Sequence, residues 1–300
     1  MSNVPYFKAN EIGERAWEVM YNFTDKEHVR CYLVEGKDYA LVIDTMNGYG
    51  NLHDFMRTLT DKPFVLANTH FHFDHTAGNF DFESCWMHHR DIKYFYDSRV
   101  ASPEQMAERA KAEAFDEYKD AIEPADMCAY RDMRTYPLYD GDVFDLGDRE
   151  ILVVDVGGHS PGSVVFIDPK LRICFAGDAC NSNTLLGFGN ALPIEEYLKN
   201  LLHLKKFQPM FDILYCGHQV LPVCTIDEGI ETCAKVLAGS DDKEVRPGLF
   251  GTPTTYAAKH ADQGIARADG KSFNMSYNPE KLFGEADPKQ VITIKPASMF

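Results

Sequence analysis

The chain has no long apolar run, no CxxC pair and no excess of positive charge. Each absence removes a class of protein. From Met1 to Met20 the sequence is interrupted by Glu11, Glu14, Arg15 and Glu18, so it lacks a signal-peptide core. No stretch approaches the roughly 18 apolar residues that a membrane span requires. A soluble, cytoplasmic protein with no membrane partner is expected. The eight cysteines, among them Cys180, are spaced for neither a zinc ribbon nor a redox pair and read as small buried hydrophobes. The net charge of -16 repels polyanions and excludes nucleic acid as a partner on global grounds.

The 300 residues are 45% hydrophobic, enough to bury a full core. Val29–Val34 and Tyr39–Ile43 read as strands, rich in β-branched and aromatic residues and separated by a turn at Gly36. Asn51–Leu59 has helical spacing, Pro63 follows it, and Phe64–Ala67 is a short apolar strand. Cys85–Met87 is a further strand. Pro103–Tyr118 reads as a helix capped by Ser102, with an apolar face so thin that a surface helix or lid is expected. Pro124 and Pro137 bracket an irregular stretch. Strand signals return at Ile151–Val156, Ser163–Ile167, Ile173–Ala176 and Ile213–Cys216. Pro193–Phe207 and Ile226–Leu237 are amphipathic helices, the second stopped by Gly239. From Ser240 to Pro288 the chain turns polar and rich in Gly and Pro, and Val291–Ile294 reads as a lone edge strand. Strands alternating with helices, several of them wholly apolar, predict a layered α/β protein.

The most informative segment is Thr69-His70-Phe71-His72-Phe73-Asp74-His75, which follows the apolar strand ending at Ala67. It places three of the chain's 11 histidines and one aspartate within six residues. In an extended segment His70 and His72 share one side, while Phe71 and Phe73 are expected to turn into the core. Neutral imidazoles and a carboxylate are nitrogen and oxygen donors that zinc prefers. The other six histidines, His28, His53, His88, His89, His203 and His260, lack ligand-like neighbours and read as structural or surface groups.

This segment resembles the HxHxDH signature of the metallo-β-lactamase superfamily. Three later elements follow in that family's order: Gly158-His159-Ser160-Pro161-Gly162-Ser163, Ala176-Gly177-Asp178 and Cys216-Gly217-His218. The resemblance implies a four-layer αββα sandwich. It covers about Val29 to Leu237, and with the change of composition after Gly239 a catalytic domain is expected over residues 1–239, with a helical insert at about 98–135. Residues 240–300 would be a tail packed on the core or on a second subunit, which leaves a homodimer open. His70, His72 and His159 would bind one ion and Asp74, His75 and His218 a second, with Asp178 bridging them. Zinc suits these donors best, and iron or manganese is also compatible. The implied activity is hydrolysis of a small-molecule substrate. Hydroxide shared by two divalent ions would attack an ester, lactone or thioester carbonyl, with Asp74 orienting the nucleophile and handling its proton. Phosphodiester or phosphonate hydrolysis and a β-lactamase-like side activity are the alternatives within that chemistry. A diiron oxidoreductase and a non-catalytic metal-bound scaffold are the alternatives outside it. The resemblance favours the branches that keep the bridging aspartate, which the well-known zinc β-lactamases lack. The aromatic residues Tyr94, Tyr96, Tyr136, Tyr256 and Tyr277 are candidates for shaping the pocket.

Overall fold

A computed structural model describes residues 4–26, 28–98, 101–248 and 251–284. The expected strand at Val291–Ile294 lies outside the described residues. The first sheet has seven strands in sequence order: β1 (Phe7–Gly13), β2 (Ala16–Tyr21), β3 (Arg30–Glu35), β4 (Ala40–Ile43), β5 (Phe64–Ala67), β6 (Ser84–His88) and β7 (Arg134–Leu138). The pairings from β1 to β4 are antiparallel and those from β4 to β7 parallel. The second sheet uses β8 (Val143–Asp145), β9 (Glu150–Asp155), β10 (Val164–Asp168), β11 (Ile173–Gly177), β13 (Ile213–Cys216) and β14 (Val220–Pro222), in the order β14-β13-β11-β10-β9-β8.

Period-two alternation explains how the two sheets stack. In β3 and β4, Tyr32, Val34, Leu41 and Ile43 point inward and meet Val153, Phe166 and Phe175 of the second sheet. Cys31, Leu33, Ala40 and Val42 point the other way. They are covered by Leu52 and Met56 of α1 (Leu52–Leu59) and by Met106, Ala107 and Ala110 of α4 (Pro103–Glu113). On the far side, Val165, Ile167 and Cys174 pack against α5 (Ile194–Lys205) and α6 (Thr225–Leu237). Helices on both outer faces explain why these strands are apolar on both sides. The four-layer αββα arrangement expected from the sequence is present.

Several local expectations need correction. The Ser102-capped helix has a full capping box with Gln105, but it ends at Glu113, short of Tyr118. It is not a surface lid, because its small apolar face is buried on the first sheet. The stretch between Pro124 and Pro137 is not wholly irregular. Pro137 lies in β7, which tolerates it because β7 is an edge strand. The β1–β2 hairpin and α3 (His89–Asp97) were not legible as elements.

The chain after Gly239 adds a small third sheet. β15 (Glu244–Pro247), β16 (Pro253–Tyr256) and β17 (Met275–Tyr277) join β12 (Thr184–Leu186) in the order β12-β17-β16-β15. Phe273, Met275 and Tyr277 are buried in the same cluster as α5 and α6. Gly229 of α6 gives Phe273 room, since a Cβ there would lie 3.3 Å from the ring. No helix among the described residues is long and apolar enough to cross a membrane.

Phe273→Ala should lower stability by about 3–5 kcal/mol within a single cooperative transition, measured by chemical denaturation. A separate early transition for the C-terminal sheet would show instead that it is an independent unit.

Candidate metal centre

The functional side chains gather where strand ends from both sheets meet. His70 and His72 follow β5, and Asp74 and His75 lie on the single-turn helix α2 (Phe73–Thr76). His159 lies in the β9–β10 loop, Asp178 directly follows β11, and His218 lies between β13 and β14. The structure brings together all seven residues picked from the sequence. Potential ligand atoms lie within 4.8 Å of one another in His70–His72–His159, in His70–His75–Asp178 and in Asp74–His75–His218. Asp178 faces His75 with one oxygen (3.8 Å) and His159 and His218 with the other (3.6 and 3.5 Å). Asp74 lies 3.7 Å from His75 Nε2 and 3.5 Å from His218 Nε2.

These separations are long for hydrogen bonds. They match the spacing of ~3.4 Å expected between donors placed about 2.1 Å from a shared tetrahedral ion. The unpaired atoms agree. His70 Nε2, His75 Nε2, His159 Nε2 and Asp178 Oδ1 are buried without a hydrogen-bond partner. Native proteins rarely leave such atoms unpaired without a ligand or water to meet them. The opposite ring nitrogens are all engaged. His75 Nδ1 donates to Asp44 Oδ2 (2.9 Å) and His159 Nδ1 to the Leu185 carbonyl (2.9 Å). The Thr69 hydroxyl gives its proton to Asp44 (2.7 Å), so it accepts from His70 Nδ1 (3.1 Å). The network thus places a proton on Nδ1 of each of these rings and turns Nε2 toward the centre, the atom a ligand would use. The donor set fits divalent metal ions.

The electrostatics divide the cluster. Burial pulls the His72 imidazole down to about 3, with His159 adding to the effect, and holds His70 well below its usual range. These rings are neutral and ready to ligate. Burial also works against charge on His75, but Asp74, Asp44 and Asp178 outweigh it and raise the ring to about 9. Burial opposes ionisation of Asp74, yet His75 and His218 hold it down to about 2. Without a metal, protons on imidazole supply the positive charge that the carboxylates need.

Two supporting carboxylates and one glycine were not picked out from the sequence. Asp44 follows β4 at a backbone φ of +64° and also accepts from the Thr69 amide (2.8 Å). Its signal was present in the sequence, an acid closing a wholly apolar strand. Asp91, in the first turn of α3, accepts from the Phe71 amide (3.1 Å), the Ser160 hydroxyl (2.5 Å) and the Gly162 amide (2.7 Å). It ties the first histidine loop to the His159 loop, and burial raises its carboxyl to about 6 despite those donors. Gly217 has no room for a side chain, because a Cβ would lie 2.4 Å from His75 Cε1 and 2.7 Å from Asp178 Oδ1.

Phe71 is buried as expected, but Phe73 is 57% exposed. Extended alternation stops at His72, where the α2 turn begins. Of the candidate tyrosines, Tyr94 stacks on Phe71 (5.2 Å), and Tyr256 and Tyr277 line a groove near the centre. Tyr136 packs on Trp86 and Tyr96 bonds Thr135, so neither lines the two cavities beside the site. Cys180 is fully buried.

The sequence profile of the Metallo-beta-lactamase superfamily matches residues 24–218, and the chain belongs to that superfamily. Its named relatives are hydrolases, in keeping with the enzyme class expected from the motifs. The acyl-coenzyme A thioesterase MBLAC2 of Bos taurus is 26% identical over 226 residues, covering 66% of this chain and 75% of that protein. The hydroxyacylglutathione hydrolase of Erythrobacter litoralis is 27% identical over 182 residues, covering 59% of this chain and 57% of that protein. Among solved structures, the metallo-beta-lactamase from Pontibacter korlensis superposes with a TM-score of 0.56 at 16% identity, over 76% of this chain and 99% of that one. That likeness concerns the fold.

Asp44→Ala should weaken metal binding about 10–100-fold, read by competition with a chromophoric chelator on protein whose fold is checked by circular dichroism. Unchanged affinity would remove Asp44 from the supporting network. The raised His75 ring carries a proton at pH 7 that must leave before it can ligate. Metal binding at pH 7 should therefore release protons, and affinity should climb with pH until His75 is neutral, above about 9. Calorimetry in buffers of different ionisation enthalpy measures this, and the absence of proton exchange would contradict ligation by His75.

Proposed function

We propose that this chain is a two-metal hydrolase of thioesters. The observation that carries the reading is the cluster of unpaired Nε2 and carboxylate atoms, open to solvent on the side of Asp74 (25% exposed) and His218 (34% exposed). In this reading His70, His72 and His159 hold one ion, Asp74, His75 and His218 hold the other, and Asp178 bridges them. The bound ions would supply acidified water, its pKa lowered toward about 7, and Lewis-acid polarisation of the scissile carbonyl.

The chain's own groups do the rest. Asp44 and the Leu185 carbonyl fix the His75 and His159 rings, so the ligand atoms are in place before substrate arrives. Asp74 is the more exposed of the two carboxylates in the cluster, and it takes up and hands on the proton of the attacking water. A thioester suits a site with one proton-handling carboxylate. A thiol ionises near 8.5, so it departs as thiolate without a donor, whereas alkoxide and amine leaving groups need a proton. The names of the relatives support the same substrate class, since both the thioesterase and the hydroxyacylglutathione hydrolase act on thioesters.

Protein purified without added metal should carry close to two equivalents of divalent metal per chain, with zinc dominant. Chelation should abolish thioester hydrolysis and zinc, manganese or cobalt should restore it. His72→Ala should lower kcat/KM by more than the roughly 10–100-fold that loss of an outer supporting hydrogen bond costs. A panel of thioesters, lactones, esters and phosphodiesters ranks the substrate classes. Turnover that survives verified metal removal would falsify the mechanism. Two equivalents of iron with a visible absorption band would point to redox chemistry instead.

A further inference from the structure

Two cavities flank the metal centre, and they differ in chemistry. The larger, about 550 Å³, opens between α4 and the His72–Phe73 segment. Its walls include Phe71, Phe80, Phe95 and Met106, all of them buried residues. A concave, largely apolar hollow of this size with a candidate ligand, His72, in its wall has the character of a small-molecule site. Among the described residues no carboxylate lines it, although the chain has 46 acidic residues. Gln105 and Arg109, both exposed, are its polar contributions from α4, and the Arg109 guanidinium lies 5.9 Å above the Phe73 ring.

The second is a groove of about 320 Å³ on the C-terminal sheet, presenting Thr254, Thr255, Ser276 and Asn278. Phe188 walls it, and that ring lies 5.6 Å from the His72 ring and 6.0 Å from His159. The centre therefore has an apolar hollow on its α4 side and a hydroxyl- and amide-lined groove on its C-terminal side. A thioester has two arms running away from a planar carbonyl. Its acyl arm is a hydrocarbon, and the arm beyond sulfur in a biological thiol carrier is rich in amides.

Resting on the thioester reading above, we infer that the acyl arm of the substrate occupies the α4-side cavity and that Met106 sets the chain length accepted. Met106 projects from α4, and its methyl reaches the backbone at Gly48, where a Cβ would lie 2.8 Å from Met106 Cε. It is a flexible, apolar wall of the cavity, held against the Gly48 backbone. A larger side chain at this position shortens the space available and a smaller one lengthens it.

The test measures kcat/KM for thioesters of one thiol with acyl chains from acetyl to dodecanoyl. In the parent protein kcat/KM should rise about fourfold for each added methylene until the cavity is full. Met106→Trp should collapse the ratio of decanoyl to acetyl kcat/KM, and Met106→Ala should move the optimum to longer chains. Thr255→Trp, in the polar groove, should change KM with the nature of the thiol and leave the acyl ratio alone. A ratio that ignores both Met106 variants, or that follows Thr255→Trp instead, overturns the assignment. Decanoate binding to chelator-treated protein, followed by calorimetry, separates this idea from the thioester reading. If no thioester is hydrolysed yet decanoate binds and Met106→Trp weakens it more than tenfold, the cavity assignment stands and the thioester reading falls. If thioesters are hydrolysed and decanoate binding ignores Met106, the reverse holds.

Discussion

Asp44 is buried and accepts three hydrogen bonds, from the Thr69 amide, the Thr69 hydroxyl and His75 Nδ1. A carboxylate so deeply buried is tolerable only when its oxygens are satisfied, and here they are. The geometry of the site follows from this one group. Through Thr69 it sets the His70 ring, and directly it sets His75, so residues from both halves of the proposed ligand set are aimed by one side chain. Asp91 does the complementary work across the seam. It joins the backbone at Phe71 to the Ser160–Gly162 turn, which fixes the His159 loop relative to the His70 loop. The Thr69 carbonyl strengthens the seam by accepting from the Val164 amide (2.8 Å). Removing either carboxylate would leave several buried donors unpaired at once, which costs more than the loss of any one bond.

The cluster itself is poorly balanced as a purely protein assembly. Asp74, Asp178 and Asp44 crowd around imidazoles, and burial alone would discharge those rings. The carboxylates instead draw protons onto His75 and His218, while His70 and His72 stay neutral. Buried atoms with nothing to bond and rings held charged against their burial are two aspects of one demand for local positive charge. Divalent ions meet it directly. The same demand explains why Gly217 is needed at the edge of the cluster. The donors converge so closely that no Cβ fits beside His75 and Asp178.

The parts of this protein that could be read from sequence are those where chemistry and local structure coincide. The His70–His75 run follows a buried strand, and His159, Asp178 and His218 lie on loops just past strand ends. Asn51 and Ser102 could be placed at helix starts because their side chains cap locally. What stayed hidden depends on contacts distant in sequence. In the first hairpin Phe7, Ala9, Trp17 and Val19 face the core, but they alternate with Lys8, Asn10 and Glu18, so no apolar run marked these strands. The apolar face of α4 looked thin because two of its buried residues, Ala107 and Ala110, are small, and tight packing on the first sheet makes them effective. In the C-terminal region Phe273 and Met275 lie within polar sequence, and only α6 and β12 make them core. Phe73 was read as inward because nothing in the sequence marked where extended chain gives way to the α2 turn.

The third sheet does more than lengthen the fold. β17 pairs in parallel with β12, and the Leu185 carbonyl of β12 accepts the His159 Nδ1 proton. The C-terminal strands therefore hold in place the short strand that fixes the His159 ring, and they also supply the polar groove behind Phe188. On the opposite side, α4 supplies Met106 and the apolar cavity. The candidate ligands lie at strand ends of the two central sheets, whereas α4 and the C-terminal strands supply walls of the two neighbouring cavities. Asp44 and Asp91 fix the His70, His75 and His159 loops from within the sandwich, and β12, paired with the C-terminal β17, fixes the His159 ring from the third sheet.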